Sequence, residues 1–160
     1  MAFPSLLLAI TISTVIGPGL TGALIAVGVV GIPDFCRLMH GQTLSIRKRE
    51  FIEAATAIGR RDMGIIARHV VPNTLSPLVV RATLGLGFAV LSASSLSFLG
   101  LGVRPPTPEW GAMVAEAREF IISGQWWVFT FPGLAILTTV LSLNLMGDGL
   151  RDFLDPRASR

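Results

Sequence analysis

The residues with which this chain could do acid–base, nucleophilic or metal chemistry are few: two histidines, His40 and His69, a single cysteine, Cys36, and ten carboxylates spread over 160 residues. There is no HExxH pair for zinc, and no glycine loop followed by Lys and Ser/Thr for phosphate. A nucleophilic triad would have to be assembled from Ser95, His69 and Asp62, but the serine falls in an apolar run and the other two in a polar loop. One cysteine forms no intramolecular disulfide and has no companion for a zinc site, so Cys36 reads as a small apolar filler. With so little of a reactive site's requirements met, the chain reads as a non-enzyme that itself holds no cofactor and no metal.

The informative chemistry is one of contact, and it lies in residues 48–73, KREFIEAATAIGRRDMGIIARHVVPN. Phe51, Ala54, Ala55 and Ile58 recur at helical spacing, which predicts an apolar face, while Arg49, Glu50, Glu53 and Thr56 point elsewhere. Gly59 suits the left-handed position that ends a helix, Asp62 is placed to cap a second short helix, and Pro72 is expected to end that one. The stretch therefore predicts a helix, a turn and a helix at a membrane face. Such an element either plugs into a partner or rests on the bilayer surface.

The elements that must position this loop are apolar. Hydrophobic residues make up 51% of the chain and charged ones 14%, and the mean hydropathy is +0.67. That composition predicts an all-α, polytopic transmembrane bundle. About four segments are expected: 3–16, 20–32 with a continuation past Pro33 towards Met39, 82–102, and 126–146. The first would rise only roughly 20 Å as a helix, so it is either a truncated span or a piece packed inside a bundle. No positive charge precedes it, so it does not read as a cleavable signal peptide, and an upstream segment is expected to be missing. Gly17-Pro18-Gly19 breaks the first segment from the second and predicts a tight hairpin. Ser76-Pro77 reads as the N-cap and first position of the third span. Trp126-Trp127 marks an interface at the start of the fourth.

The net charge of +3 does not imply nucleic acid, because the basic residues fall between apolar runs instead of forming one face. Arg37, Arg47, Lys48, Arg49, Arg60, Arg61 and Arg68 lie between the second and third segments, and Arg151, Arg157 and Arg160 in the tail. This bias predicts that the loop at 40–73, the tail at 147–160 and both chain ends are cytoplasmic. The loop at 103–125 is then external, with Pro105, Pro106 and Pro108 stiffening it and a short surface helix expected over 109–120. In the tail, Asp148, Arg151, Asp152 and Asp155 are expected to pair locally. The third span is rich in small residues, which serves close helix packing or a pathway lining equally. It carries no ionisable group except Arg81 at its end, which argues against a proton relay and for energy supplied from elsewhere.

Glu53-Ala54-Ala55, Gly59 four residues after Ala55, and Pro72 beyond it resemble the "EAA" signature of importer permeases of the ATP-binding cassette class. Leu96 to Val103, Pro105 to Gly111, His69-Val70-Val71-Pro72-Asn73 and Gly147 to Pro156 resemble the dipeptide, oligopeptide and nickel permease subfamily. The broader signature favours isoleucine where this chain has His69, and histidine is usual in this subfamily. The resemblance covers essentially the whole chain and corresponds to the C-terminal half of such a subunit. It implies a type I importer permease in the bacterial inner membrane and a coupling loop in which Glu53, Ala54, Ala55, Gly59, His69 and Pro72 are the site residues. It also implies partners: ATP-binding subunits that bind and hydrolyse the ATP, a second permease, and an external substrate-binding protein. A non-transporting structural or channel-like membrane protein, or a defunct truncated permease, is the alternative. The resemblance implies import of di- or oligopeptides or nickel, with the chain forming part of the translocation pathway, and the sequence does not choose among these solutes.

Overall fold

The computed structural model describes residues 4–154, and within them every regular element is a helix. In chain order these are α1 (Ser5–Ile16), α2 (Leu20–Arg47), α3 (Glu50–Ala57), α4 (Asp62–Ile65), a π turn (Ile66–Val70), α5 (Val71–Phe98), α6 (Trp110–Glu116), α7 (Arg118–Ile122) and α8 (Trp126–Leu154). Three stretches are apolar and long enough to cross a membrane: Leu20–Arg47, Asp62–Phe98 and Trp126–Leu154, of 28, 37 and 29 residues. At 1.5 Å per residue each exceeds the roughly 30 Å of a hydrocarbon core. The 12-residue α1 is too short to span by itself and packs against α2 and α5.

Most of the helices run further than their sequence signals suggest, although α5 ends at Phe98, short of the expected 102. Pro33, Pro77 and Pro132 all lie inside helices, so the expectation that Ser76-Pro77 opens the third span is corrected. The physical reason is solvent: in a bilayer nothing but the chain satisfies backbone polar groups, so helices continue through prolines that would end them in water. Ser76 caps nothing; its hydroxyl lies 3.4 Å from the Leu154 carbonyl at the end of α8.

Helix α5 is the centre of the bundle and touches α1, α2, α6 and α8. Small residues set the approach. A Cβ on Gly87 of α5 would lie 2.9 Å from the Asn144 side chain of α8, and one on Gly147 of α8 would lie 2.7 Å from Leu84 of α5. Ala9, Ala23, Ala26, Val30 and Leu96 form the core between α1, α2 and α5. The outer face of α8, with Leu134, Leu137, Leu141 and Leu145, is exposed, as expected of helices whose solvent is as apolar as they are.

The stretch at 103–125 does not form one surface helix: it divides into α6, which packs on both α5 and α8, and α7, whose residues are all exposed. Glu109 fixes it. One carboxylate oxygen accepts the Ala112 N–H at 2.8 Å, capping α6, and the other accepts from the Ser94 hydroxyl of α5 at 3.0 Å. Leu101, just past α5, accepts through its carbonyl from the Ser13 hydroxyl at 3.1 Å and from the Gly19 N–H at 3.3 Å. The α1–α2 hairpin, α5 and α6 are thus joined at one end of the bundle by polar contacts, each able to compensate the burial of a polar group.

The local pairing expected in the tail is not seen. Asp148, Arg151 and Asp152 are exposed on α8, and the ion pairs among the described residues are Asp34–Arg37 and Asp34–Arg81. Well-solvated charges gain little from pairing, which accounts for the difference. Asp155 and the residues after it, like the start of the first segment at Phe3, lie outside the described residues.

Candidate functional site

The connection between α2 and α5 is built from the backbone outward. Helix α3 closes through a paired C-terminal motif in which the Gly59 N–H donates to the Thr56 carbonyl at 2.9 Å and the Arg60 N–H to the Ala55 carbonyl at 3.2 Å. This geometry places Gly59 at φ +77°, a conformation that L side chains resist. A Cβ there would meet nothing within 4 Å, so the glycine serves the angle and not the packing.

Beyond the turn, the expectation of a second short helix capped by Asp62 and ended by Pro72 is corrected on both points. Asp62 makes no side-chain cap; Arg61 holds the cap position, and Asp62 is the first residue of α4, where a carboxylate still complements the helix dipole. Pro72 ends nothing, because Asp62–Phe98 is one continuous helix. The chain passes the proline through the π turn, in which the Val71 N–H reaches back five residues to the Ile66 carbonyl. Asn73 then gives its side-chain amide to the His69 carbonyl at 2.7 Å. That carbonyl is part of a register already displaced by the π turn.

The loop has a core of its own. Ile46, Ile52, Ala55, Ile65 and Val70 pack together, joining the end of α2, α3, α4 and the π turn into one unit. The face predicted from Phe51, Ala54, Ala55 and Ile58 is therefore divided. Ala55 turns inward with Ile52, whereas Phe51, Ala54 and Ile58 are exposed, Ile58 to 80%. Two adjacent apolar stripes share Ala55, and the inner one was overlooked because Ile52 and Ala55 alone span a single turn.

Of the six residues singled out by sequence, Glu53 and Ala54 are exposed on α3, Ala55 is buried, Gly59 makes the turn, His69 is half-buried and Pro72 is exposed. Ala55, Gly59 and His69 are brought together by a residue that sequence reasoning passed over. The Arg60 N–H holds Ala55, and its guanidinium lies 3.2 Å from His69 Nε2. Arginine only donates, so this contact makes His69 Nε2 an acceptor and places the ring proton on Nδ1. The His69 ring also lies 5.9 Å from that of Phe51. Glu53 has no ion-pair partner among the described residues. The unit thus has a buried inner side, an angle fixed by one glycine, and an outer side of Phe51, Ile58 and Met63, the last 75% exposed. The cations Lys48, Arg49, Arg60 and Arg61, all exposed, flank α3 in the sequence.

Long apolar helices, packed through glycine and alanine and joined by a self-cored polar loop, define a polytopic α-helical membrane protein. Over residues 1–160 the sequence matches the family described as binding-protein-dependent transport system inner membrane component, and the chain belongs to that family. It is 51% identical over 157 residues to the dipeptide transport system permease protein DppC of Alkalihalophilus pseudofirmus, covering 98% of this chain and 51% of that protein. It is 52% identical, with the same coverage, to the glutathione transport system permease protein GsiD of Escherichia coli O1:K1 and of Shigella flexneri serotype 5b. The chain spans about half the length of these relatives.

Proposed function

We propose that the chain is the permease portion of an ATP-driven importer for small peptides or peptide-like solutes. Its bundle lines part of the pathway, and its loop at 48–73 is the contact through which a separate ATP-binding subunit moves it. The observation that carries this reading is the form of the loop: a self-cored unit that leaves Ile58 and Met63 largely exposed, and Glu53 exposed with no ion-pair partner among the described residues. An amphipathic helix that only rests on lipid needs neither a private core nor a glycine-set angle between two helices, and a lever needs both. The peptide character of the solute is supported by the dipeptide and glutathione transport named for the relatives. The arginine and lysine bias supports a cytoplasmic side for the loop at 40–73 and the tail; with three spans and an α1 too short to cross, the expectation that the start of the chain is also cytoplasmic is withdrawn. A second permease and an external binding protein complete the assembly in this reading, ATP is bound by the partner, and this chain catalyses no reaction.

Site-directed cross-linking tests the contact. The single cysteine, Cys36, is first replaced by serine, and Ile58→Cys is then introduced as the sole thiol. With a short photoactivatable thiol reagent in native membranes, the expected product is a covalent adduct with an ATP-binding subunit. Cys36 restored as the sole thiol should give none. Lipid-only labelling at position 58 would contradict the docking.

A further inference from the structure

The two ion pairs of the bundle meet on one carboxylate. Asp34 of α2 gives one oxygen to Arg37, a turn further along α2, and the other to Arg81 of α5 at 3.3 Å. Arg81 also lies 5.8 Å from the centre of the Phe35 ring. Beside this triad, α2 and α5, with Ser5 of α1, line an open-sided cavity of about 340 Å³ whose walls carry Asp34 and Arg81 together with apolar and small residues such as Val27, Gly28, Gly85 and Phe88. That volume is within the range of small-ligand sites.

Among the described residues the charges of the triad do not balance. Tying α2 to α5 needs one carboxylate and one guanidinium, and the triad holds two guanidiniums on a single carboxylate. Both Asp34 oxygens are committed, whereas Arg81 uses one of its five donors on Asp34. A surplus positive charge with free donors on the wall of an otherwise apolar cavity attracts an oxyanion, and the planar guanidinium fork matches a carboxylate best. We propose that Arg81, held beside the Phe35 ring and partly neutralised by Asp34, is a subsite for the free carboxylate of a solute of dipeptide size. This rests on the reading of the bundle as a solute pathway and adds to it a residue that discriminates among solutes.

The test needs no ATP-binding subunit, so its outcome is separable from that of the docking contact. The full chain, labelled with 15N-arginine, is placed in nanodiscs of zwitterionic lipid, and the Arg81 Nε–Hε resonance is assigned by its loss in Arg81→Lys. Alanyl-alanine is expected to shift this resonance saturably, and alanyl-alanine amide to bind at least about tenfold more weakly, the loss of one charge-assisted bond. Asp34→Asn, which removes the competing carboxylate, should tighten alanyl-alanine binding several-fold; a triad that only ties helices together predicts no gain. No shift, an equal shift with acid and amide, or weaker binding in Asp34→Asn overturns the subsite. So does a shift produced by phosphatidylglycerol in the nanodisc that alanyl-alanine fails to reverse, which would assign the charge to a lipid phosphate.

Discussion

Replacing Gly59 by valine is expected to abolish most ATP-driven uptake while leaving membrane insertion and the helical bundle intact. The substituted Cβ meets no neighbour within 4 Å, so the whole effect comes from the backbone. Holding an L residue at φ +77° costs about 1–2 kcal/mol, and a β-branched side chain falls at the upper end. The loop escapes that cost by opening the turn, which gives up the Gly59–Thr56 and Arg60–Ala55 bonds and swings α3 away from α4. Roughly 1.4 kcal/mol corresponds to a tenfold shift in population. Uptake in reconstituted vesicles is therefore expected to fall at least about tenfold, with Gly59→Asn, which tolerates this conformation better, closer to the parent. Equal uptake by all three proteins would show that the angle does not matter.

Gly111→Val should have a larger effect and of a different kind. A Cβ at Gly111 would overlap the Ser94 backbone, carbonyl oxygen included. Neither partner is a flexible side-chain end, so α6 must leave the groove between α5 and α8. Overpacking of this severity costs upward of about 3 kcal/mol, and moving α6 also removes the Glu109 contact with Ser94. The expected outcome is a lowered thermal midpoint in detergent and rapid tryptic cleavage after Arg118. An unchanged midpoint would contradict the inward packing of α6.

These two glycines show what sequence can and cannot carry. Gly59 was legible because a local rule demands it: an amphipathic stretch ended, and a residue free to take positive φ followed. Gly111 was not, because its reason is a neighbour seventeen positions earlier on another helix. The same division holds for the prolines. Pro18 reads correctly as a break, since it lies in a cluster with Gly17 and Gly19, whereas Pro72 and Pro77 were misread as helix boundaries by rules formed in water. The long apolar spans were legible from composition, and their length was underestimated at the ends where charged residues continue the helix, as at Asp62 and Arg47. Within the loop, the repeat of apolar positions correctly located a helix but not which stripe would be covered. That choice was made by Ile46 and Val70, which come from outside the helix. Arg60, which links Ala55 and Gly59 to His69, left no pattern in the sequence.

The most direct measurement of the docking claim is recovery of the ATP-binding subunit with the tagged chain from detergent-solubilised membranes of its source, comparing the parent with Ile58→Asp/Met63→Asp. Both side chains are exposed, to 80% and 75%, and outside the loop's core, so the variant should insert and fold as the parent does, with an unchanged thermal midpoint. The account predicts that the parent retains the ATP-binding subunit and that the double variant loses nearly all of it. Equal recovery by the two proteins, or none by the parent, would contradict the assignment of this loop as the contact through which the bundle is driven.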